Sequence, residues 1–327
     1  GYNFRRSKNA FGKGNRMDYL YALQSLREVA PGFINYVFLF VSEIMVKILP
    51  VFAGIIYWSV NKREGAAILL GYFSANSVNQ LIKNTACIYR PWILDKRLYV
   101  DAAAKNGATG YSFPSGHTTT AASFFGGFAL FLKKTWATIV FALLILLVAF
   151  SRNWLGAHTF FDVAIAILHT GFALFLTRLI ARFLEKRPWF DTLVAVLGIA
   201  ISAAVLIYLS LKHYPLDYAE DGSLLADPYK MLTDCYTAAG LMIGGLLGWW
   251  LERHFIGFEV RVKKSEKVLR ALAGSLSFLI LFLGKIFAFM GEHWQHFAKY
   301  FTIAFWSLFV YPLLFSFAER SRKPSGK

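Results

Sequence analysis

Three short blocks of this chain combine residue types that could bind a phosphate group and cleave it. In chain order they are Lys83-x6-Arg90-Pro91, Pro114-Ser115-Gly116-His117 and Ser151-Arg152-x5-His158-x3-Asp162. Together they supply fixed cations, two histidines, a carboxylate spaced to meet one histidine, and a turn of small residues that opens a helix. These groups suit the binding of a tetrahedral phosphate and the breaking of one of its P–O bonds.

The third block has the spacing of an activated nucleophile. His158 and Asp162 are four residues apart, so on a helix they share one face. A carboxylate that accepts one imidazole N–H selects the tautomer, presents the other nitrogen to a substrate and stabilises the imidazolium. Arg152 precedes this pair, and its planar guanidinium can bind two phosphate oxygens at once.

The second block predicts a cradle for an anion at a helix N-terminus. Pro114 suits a helix start, and the small residues Ser115 and Gly116 leave backbone N–H groups uncovered. His117 would lie at the mouth of this cradle, where it could donate a proton to a leaving-group oxygen.

The first block predicts the end of a helix with two cations on one side. Lys83 and Arg90 are seven residues apart, about two helical turns, so both can face the same site. Pro91 disfavours helical geometry at Arg90, so we expect the helix to end there.

Composition indicates a polytopic all-α membrane protein. The 327 residues are 57% hydrophobic and 17% aromatic, with mean hydropathy +0.47, whereas soluble domains are about 45–50% apolar. The net charge is +16. Basic loops that orient spans and contact anionic lipids explain this charge, so nucleic acid is not an expected partner. Cys87 and Cys235 are expected to be free, although a bridge between them is possible.

Hydropathy predicts about nine membrane spans. They are 33–58, 65–86, 116–132, 135–151, 160–183, 190–211, 232–251, 270–290 and 297–318. The connections rich in Lys and Arg all fall on one side, which the positive-inside rule assigns to the cytoplasm. The three blocks then lie on the non-cytoplasmic face. Arg27 departs from this charge distribution, and an amphipathic helix in the membrane interface accounts for it, with Tyr19, Leu20, Leu23 and Leu26 as its apolar face.

Composition also divides the chain into segments. We expect an expression remnant at 1–16, with Met17 a plausible native start, followed by an interfacial helix at 17–32. A membrane core at 33–211 holds the motifs within 83–162. After it we expect a non-cytoplasmic acidic loop at 212–231 and a three-helix extension at 232–327 with a basic cytoplasmic loop and tail. Gly240, Gly244 and Gly248 recur every four residues in the extension, a pattern typical of close helix packing.

The blocks and their order resemble those of the type 2 phosphatidic acid phosphatase superfamily, over roughly residues 65–183. Related members include undecaprenyl pyrophosphate phosphatases, sphingosine-1-phosphate phosphatases and glucose-6-phosphatase. The resemblance implies that His158 attacks phosphorus to form a phosphohistidine, supported by Asp162, and that His117 protonates the leaving oxygen and later activates water. The implied phosphate-binding residues are Lys83, Arg90, Ser115, Gly116 and Arg152.

The resemblance implies no metal and no other cofactor, and the sequence around the blocks contains no cluster of acidic, His or Cys ligands. It predicts a hydrolase in a bacterial inner or plasma membrane that cleaves a lipid phosphate monoester or a pyrophosphate, such as a polyprenyl pyrophosphate, on the non-cytoplasmic face. One alternative is a soluble sugar phosphate as substrate, because nine spans with an outside N-terminus resemble the layout of glucose-6-phosphatase. Another is a non-catalytic lipid-binding or transport protein, which should have lost His117, Arg152 or His158.

Two further sets of polar residues within predicted spans have simpler interpretations. His169 is expected to be a buried, hydrogen-bonded histidine. Glu43 and Lys47 are four residues apart in the first span, so a mutual ion pair is the favoured interpretation. The alternative for this pair is that it lines a portal for substrate.

Overall fold

The protein is all-helical, as the sequence predicts. The computed structural model describes residues 17–106, 108, 110–285 and 287–322. Helix accounts for 80% of the structure, and these described residues form no strand beyond one isolated bridge between Tyr218 and Leu224. Residues 1–16, interpreted above as an expression remnant, lie outside the described residues.

Ten helices of at least twelve residues follow one another in this described part of the chain. Numbered α1 to α10 in chain order, they are Asp18–Val29, Gly32–Val60, Lys62–Ala86, Gly116–Leu132, Thr135–Trp154, Phe160–Lys186, Pro188–Leu211, Pro228–Ile256, Lys264–Leu283 and Glu292–Ser321. Two short helices, Pro91–Leu94 and Ala102–Asn106, lie between α3 and α4. Helix α2 contains π-helical turns at Phe40–Met45 and Ile56–Val60.

Six helices of the described residues are long and apolar enough to cross a membrane, so the predicted count of nine spans is not confirmed. The six are α2, α5, α6, α7, α8 and α10. The three predicted spans outside this set correspond to α3, α4 and α9. Helix α4 has only 17 residues, and α3 carries Gln80, Lys83 and Asn84 in its last turns. The predicted span 270–290 also extends too far, because α9 starts earlier, in a charged segment, and ends at Leu283.

The chain forms two compact units. The first consists of the described residues up to Leu49, Val78–Ala173 and Tyr208–Cys235, and the second of Pro50–Ser77, Leu174–Ile207 and the residues from Tyr236 onward. The three motif blocks all belong to the first unit. The boundaries of the domains predicted from the sequence stay predictions.

Polar contacts hold the helix ends of the first unit together. The backbone N–H of Ser115, which precedes α4, donates to the carbonyl of Asp162 in the first turn of α6 at 3.0 Å. Asn79 of α3 donates through Nδ2 to Thr119 Oγ1 of α4 at 2.9 Å. Asn79, Thr119 and Ser115 are fully buried, where an unpaired polar group would cost about 1–3 kcal/mol. These bonds therefore specify which helix ends meet.

Helix α1 packs on the first unit through its apolar and basic residues. Leu20 is buried, whereas Leu26 is half exposed. Arg27 is also buried, and its guanidinium donates to the carbonyl oxygens of Trp154 at 3.0 Å and Tyr99 at 2.8 Å. These carbonyl contacts account for the burial of a cation at this position. The interfacial location predicted for α1 stays a prediction.

The glycine pattern of the extension forms a packing face in the second unit. A Cβ atom at Gly240 or Gly244 of α8 would lie 2.5 Å from the carbonyl oxygen of Phe297 or Phe301 in α10. A Cβ at Gly248 would also be tight, at 3.3 Å from Phe305. The predicted close approach of two helix backbones is therefore confirmed.

We expect Gly244→Ala to destabilise the protein. The added methyl group must displace the backbone of α10, and overpacking of this kind costs about 1–3 kcal/mol. Thermal unfolding in detergent should show a lower melting temperature. The control is Gly171→Ala in α6, where no atom lies within 4 Å of the added Cβ, and its melting temperature should be unchanged or higher. Equal melting temperatures for the two variants would contradict the packing role.

Candidate active site

The residues singled out by the three blocks converge in the first unit at helix ends. They are Lys83, Arg90, Ser115, Gly116, His117, Arg152, His158 and Asp162. Lys83 and Arg152 lie in the last turns of α3 and α5, whereas Gly116 and Asp162 lie in the first turns of α4 and α6. Six of the eight are buried, and Gly116 and His117 are partly exposed. Their roles in catalysis or binding stay predictions.

His158 and Asp162 face each other with a serine hydroxyl beside them. His158 Nδ1 is 3.5 Å from Asp162 Oδ2, which is long for a hydrogen bond. Ser112 Oγ donates to the same Oδ2 at 2.5 Å and lies 3.3 Å from Nδ1. The Thr159 backbone N–H also donates to Oδ2, at 2.7 Å. The carboxylate is therefore held in place by two donors, and it faces Nδ1.

The contact between Arg90 and His158 identifies the imidazole tautomer. Arg90 Nη1 is 3.0 Å from His158 Nε2, and a guanidinium can only donate. Nε2 therefore carries the lone pair, and Nδ1 carries the hydrogen that faces Asp162. Arg90 is held by the carbonyl oxygens of Gly110 at 3.1 Å and Ala157 at 3.0 Å. The unprotonated nitrogen thus faces the side of the site where the cations lie.

The surroundings of His158, which lies between α5 and α6, keep its imidazole neutral. Burial lowers the pKa of His158 well below its ordinary value, and the nearby cations Arg90, Arg152 and Lys83 lower this pKa further. A neutral imidazole keeps one unprotonated nitrogen, which here is Nε2, the nitrogen that Arg90 contacts. It can therefore act as a nucleophile without first losing a proton.

One edge of the Arg152 guanidinium is hydrogen-bonded to the protein, and the other edge, called the bare edge below, has no hydrogen-bond partner among the described residues. Its Nη1 donates to Ser42 Oγ at 3.2 Å and to Glu43 Oε1 at 2.9 Å. Its Nε and Nη2 are buried and have no hydrogen-bond partner among the described residues. Buried donors are rarely left unpaired in native proteins. The bare edge has the geometry that binds two oxygens of one phosphate.

The start of α4 adds further donors. Ser115 Oγ accepts from the Thr118 backbone N–H at 3.4 Å and from Thr118 Oγ1 at 3.0 Å, so its side chain caps the helix. A Cβ at Gly116 would be 4.0 Å from Lys83 Nζ, so the ammonium group lies next to this helix N-terminus. An anion here would meet both the helix dipole and a buried cation.

His117 contacts a carboxylate that the sequence interpretation left outside the site. Its Nε2 is 3.1 Å from Glu43 Oε1. The predicted pair between Glu43 and Lys47 exists at 3.4 Å, but Lys47 is 60% exposed, whereas the contact of Glu43 with Arg152 is shorter and partly buried. Glu43 therefore belongs to the site. A carboxylate within an apolar span was the signal that could have indicated this.

Ser112 is the second site residue that the sequence interpretation missed. No spacing rule links it to Asp162, fifty residues later, although it lies only two residues before Pro114, where the second block begins. His169, in contrast, has the hydrogen-bond contact that was predicted, but it is not fully buried. It is partly buried and its Nε2 lies 3.2 Å from Thr119 Oγ1.

The remaining candidate ligands give no further centre in the described part of the chain. Cys87 and Cys235 are both buried and free, as expected. Among the described residues, no group of three or more His, Cys, Asp or Glu side chains is placed to hold one metal ion.

Comparison with protein families gives two matches. Residues 64–185 match the family described as the PAP2 superfamily. Residues 236–323 match the family described as the PAP2 superfamily phosphatase, transmembrane extension. Comparisons with curated proteins and with solved structures gave no match. The first match contains all three blocks, and the two matches together cover more than half of the chain.

We expect Arg152→Gln to weaken the binding of inorganic phosphate at least tenfold. The substitution removes charge-assisted hydrogen bonds worth about 1.5–3 kcal/mol each, and tenfold corresponds to about 1.4 kcal/mol. The affinity can be measured from the rise in melting temperature with phosphate concentration. Arg97→Gln is the control, because Arg97 is exposed and paired with Asp95. Equal phosphate affinities in the two variants would contradict an anion site at Arg152.

We expect His158 to remain neutral at about pH 6, where an unperturbed histidine is mostly protonated. Because its pKa is lowered, the proton that an exposed histidine would bind at this pH is absent. ¹⁵N NMR of histidine-labelled protein in micelles should show one residue that keeps the Nδ1–H neutral tautomer. Loss of that signal in His158→Gln, but not in His213→Gln, would assign it. A midpoint near 6.5 for the assigned signal would rule out the proposed environment.

Proposed function

The chain belongs to the PAP2 superfamily, and from this membership we propose that it is a metal-independent membrane hydrolase that cleaves a lipid phosphate monoester or pyrophosphate. One observation carries the proposal. The buried, unpartnered edge of Arg152 lies in the same cluster as the neutral imidazole of His158, with Arg90 and Lys83 nearby. This arrangement supports a phosphate held by cations beside a nucleophilic nitrogen.

In the first chemical step, His158 acts as the nucleophile. Its Nε2 attacks phosphorus, an N–P bond forms, and the P–O bond to the leaving group breaks. His117 gives a proton to the departing oxygen. The products are a phosphohistidine and the leaving group, which is a free alcohol from a phosphate monoester or a lipid monophosphate from a lipid pyrophosphate. Asp162 stabilises the positive charge that develops on the His158 ring. The cations and the N-terminus of α4 stabilise the negative charge on the equatorial oxygens.

In the second step, water hydrolyses the phosphohistidine. His117, now neutral, takes a proton from water as the water oxygen attacks phosphorus. The N–P bond breaks, the electron pair returns to His158, and inorganic phosphate is released. Each residue then regains the protonation state it had at the start.

Exposed apolar residues next to the site support a lipid as the substrate. Tyr36, Phe40 and Ile44 form an exposed ridge on α2, the helix that carries Glu43. Phe160 and Phe161 are exposed beside Asp162 at the start of α6. An apolar tail could stay in contact with such surfaces while its phosphate enters the site. The alternative of a soluble sugar phosphate depended on nine spans, a count that the described helices do not support.

The distribution of basic residues supports a site on the non-cytoplasmic face. The segment after α8 and the end of α10 are rich in Lys and Arg, whereas the loops that contain the three blocks carry basic residues at a lower density. In a bacterial inner or plasma membrane, this face is turned away from the cytoplasm. The substrate phosphate would then be removed outside the compartment in which most lipid precursors are made.

We expect purified protein in detergent to release phosphate from a lipid phosphate with EDTA present, and His158→Ala to reduce turnover by more than about a thousandfold. The assay should compare phosphatidate, a sphingoid phosphate, undecaprenyl pyrophosphate and glucose 6-phosphate side by side. His213→Ala is the matched control, since His213 lies outside the site in the acidic loop, and its activity should equal that of the unsubstituted protein.

Trapping the intermediate tests the mechanism separately. With ³²P-labelled p-nitrophenyl phosphate, whose leaving group needs no proton, His117→Ala should slow the hydrolysis step alone, so ³²P should remain on the protein in a base-stable, acid-labile form typical of phosphohistidine. Undiminished turnover in His158→Ala would rule out this mechanism. A strong preference for glucose 6-phosphate would rule out the lipid assignment, and activity lost with EDTA and restored by a divalent cation would rule out metal independence.

A further inference from the structure

Glu43 lies outside the residues that match the PAP2 superfamily, yet it reaches the centre of the site. The match begins at residue 64, whereas Glu43 belongs to the π-helical turn Phe40–Met45 of α2. A π-helical turn inserts one extra residue into a helix and shifts the direction of the side chains around it. Such turns often occur at functional sites. The turn therefore gives α2 a way to present a carboxylate to the site.

One oxygen of Glu43 contacts two different site residues. Its Oε1 accepts from Arg152 Nη1 at 2.9 Å and lies 3.1 Å from His117 Nε2. Its Oε2 is 3.4 Å from the exposed Lys47. Only 18% of the Glu43 side chain is exposed. The carboxylate thus bridges the phosphate-facing guanidinium and the second histidine.

We propose that Glu43 is a positioning residue for proton transfer to the leaving group, because it fixes the orientation of the His117 ring. This inference rests on the proposed function. With Nε2–H donating to Glu43 Oε1, the second ring nitrogen, Nδ1, is the one that faces away from Glu43. A protonated His117 would then deliver the Nδ1 proton to the leaving oxygen and recover it from the attacking water, while Nε2–H stays with Glu43 throughout.

The charges around His117 make such a partner necessary. Arg152 and Arg90 both repel a protonated imidazole at this position, and Lys83 lies close to the neighbouring Gly116. Glu43 is the carboxylate in hydrogen-bond contact with the ring. Its negative charge offsets part of this repulsion and favours the protonated ring that proton donation to the leaving oxygen requires. The same oxygen also holds Arg152 with its bare edge free for phosphate.

The site would then contain two carboxylate–histidine pairs with different tasks. Asp162 supports His158, which attacks phosphorus, and Glu43 supports His117, which moves the proton. A purely structural role for Glu43 would be to neutralise the buried Arg152. The two roles differ in one measurable respect, since only a role in proton transfer depends on the leaving group.

The test compares two leaving groups in Glu43→Gln. The leaving group of phosphatidate is an alcohol, diacylglycerol, whose oxygen needs a proton. The leaving group of p-nitrophenyl phosphate is a stable phenolate, which needs none. We expect the single-turnover rate of P–O cleavage to fall about a hundredfold on phosphatidate, within the range that general acid catalysis contributes. The rate of the nitrophenol burst should change less than about threefold, because cleavage of that substrate bypasses the proton transfer.

Three further variants complete the design. Lys47→Gln removes the exposed partner of Glu43 and leaves the contacts with His117 and Arg152, so both rates should stay within about twofold of the unsubstituted protein. His117→Ala combined with Glu43→Gln should lose no more on phosphatidate than His117→Ala alone. If Glu43→Gln folds poorly, Glu43→Asp keeps the charge with a shorter reach. It should show a smaller loss on phosphatidate and the same sparing of p-nitrophenyl phosphate.

The outcomes separate this inference from the function on which it rests. Equal losses on the two substrates, or no loss on either, would overturn the positioning role while leaving the phosphatase assignment intact. An additional loss when Glu43→Gln is added to His117→Ala would also overturn it. Absence of cleavage of both substrates by the unsubstituted protein would overturn the proposed function and this inference with it.

Discussion

The burial of cationic side chains in an apolar helical unit is the constraint on which the rest of the site depends. Arg152 is fully buried, and an uncompensated charge in that position would be very costly. Glu43 and Ser42 compensate one edge of its guanidinium. The other edge has no partner among the described residues. The protein therefore contains a preorganised cationic group with two unpaired donors, which suits the anion site proposed above.

Helix ends explain why this surface can exist in such a hydrophobic protein. The terminal turns of a helix leave backbone N–H and C=O groups unpaired, so polar side chains and ligands gather there. The site uses the ends of α3 and α5 and the beginnings of α4 and α6, and a bond between Ser115 and Asp162 joins two of them. The apolar middle parts of the same helices can then pack or face lipid without carrying any of the chemistry.

The position of the polar residues and the lengths of the helices explain why six helices, and not the nine predicted, meet the criteria for a membrane span. Helix α3 brings polar residues such as Asn79 and Lys83 to the site, and these lower the apolar character by which a span is recognised. Helix α4 is apolar but has only 17 residues. Helix α9 begins in a charged segment at Lys264 and ends before the predicted boundary. Hydropathy measures the average over a helix. It therefore works well for lipid-facing helices and poorly for helices that line a polar site.

The sequence alone determined the helical class, the three blocks and the pairing of His158 with Asp162, because composition and i, i+4 spacing are local properties of a chain. Tertiary structure decided which other groups join them. Glu43 has Lys47 at helical spacing, so local rules favour a pair between the two, yet the π-helical turn and the packing of α2 bring Glu43 to Arg152 and His117. Ser112, in the loop before α4, likewise contacts Asp162 only through tertiary packing. Contacts between residues far apart in the chain depend on how helices pack, and no local pattern encodes that.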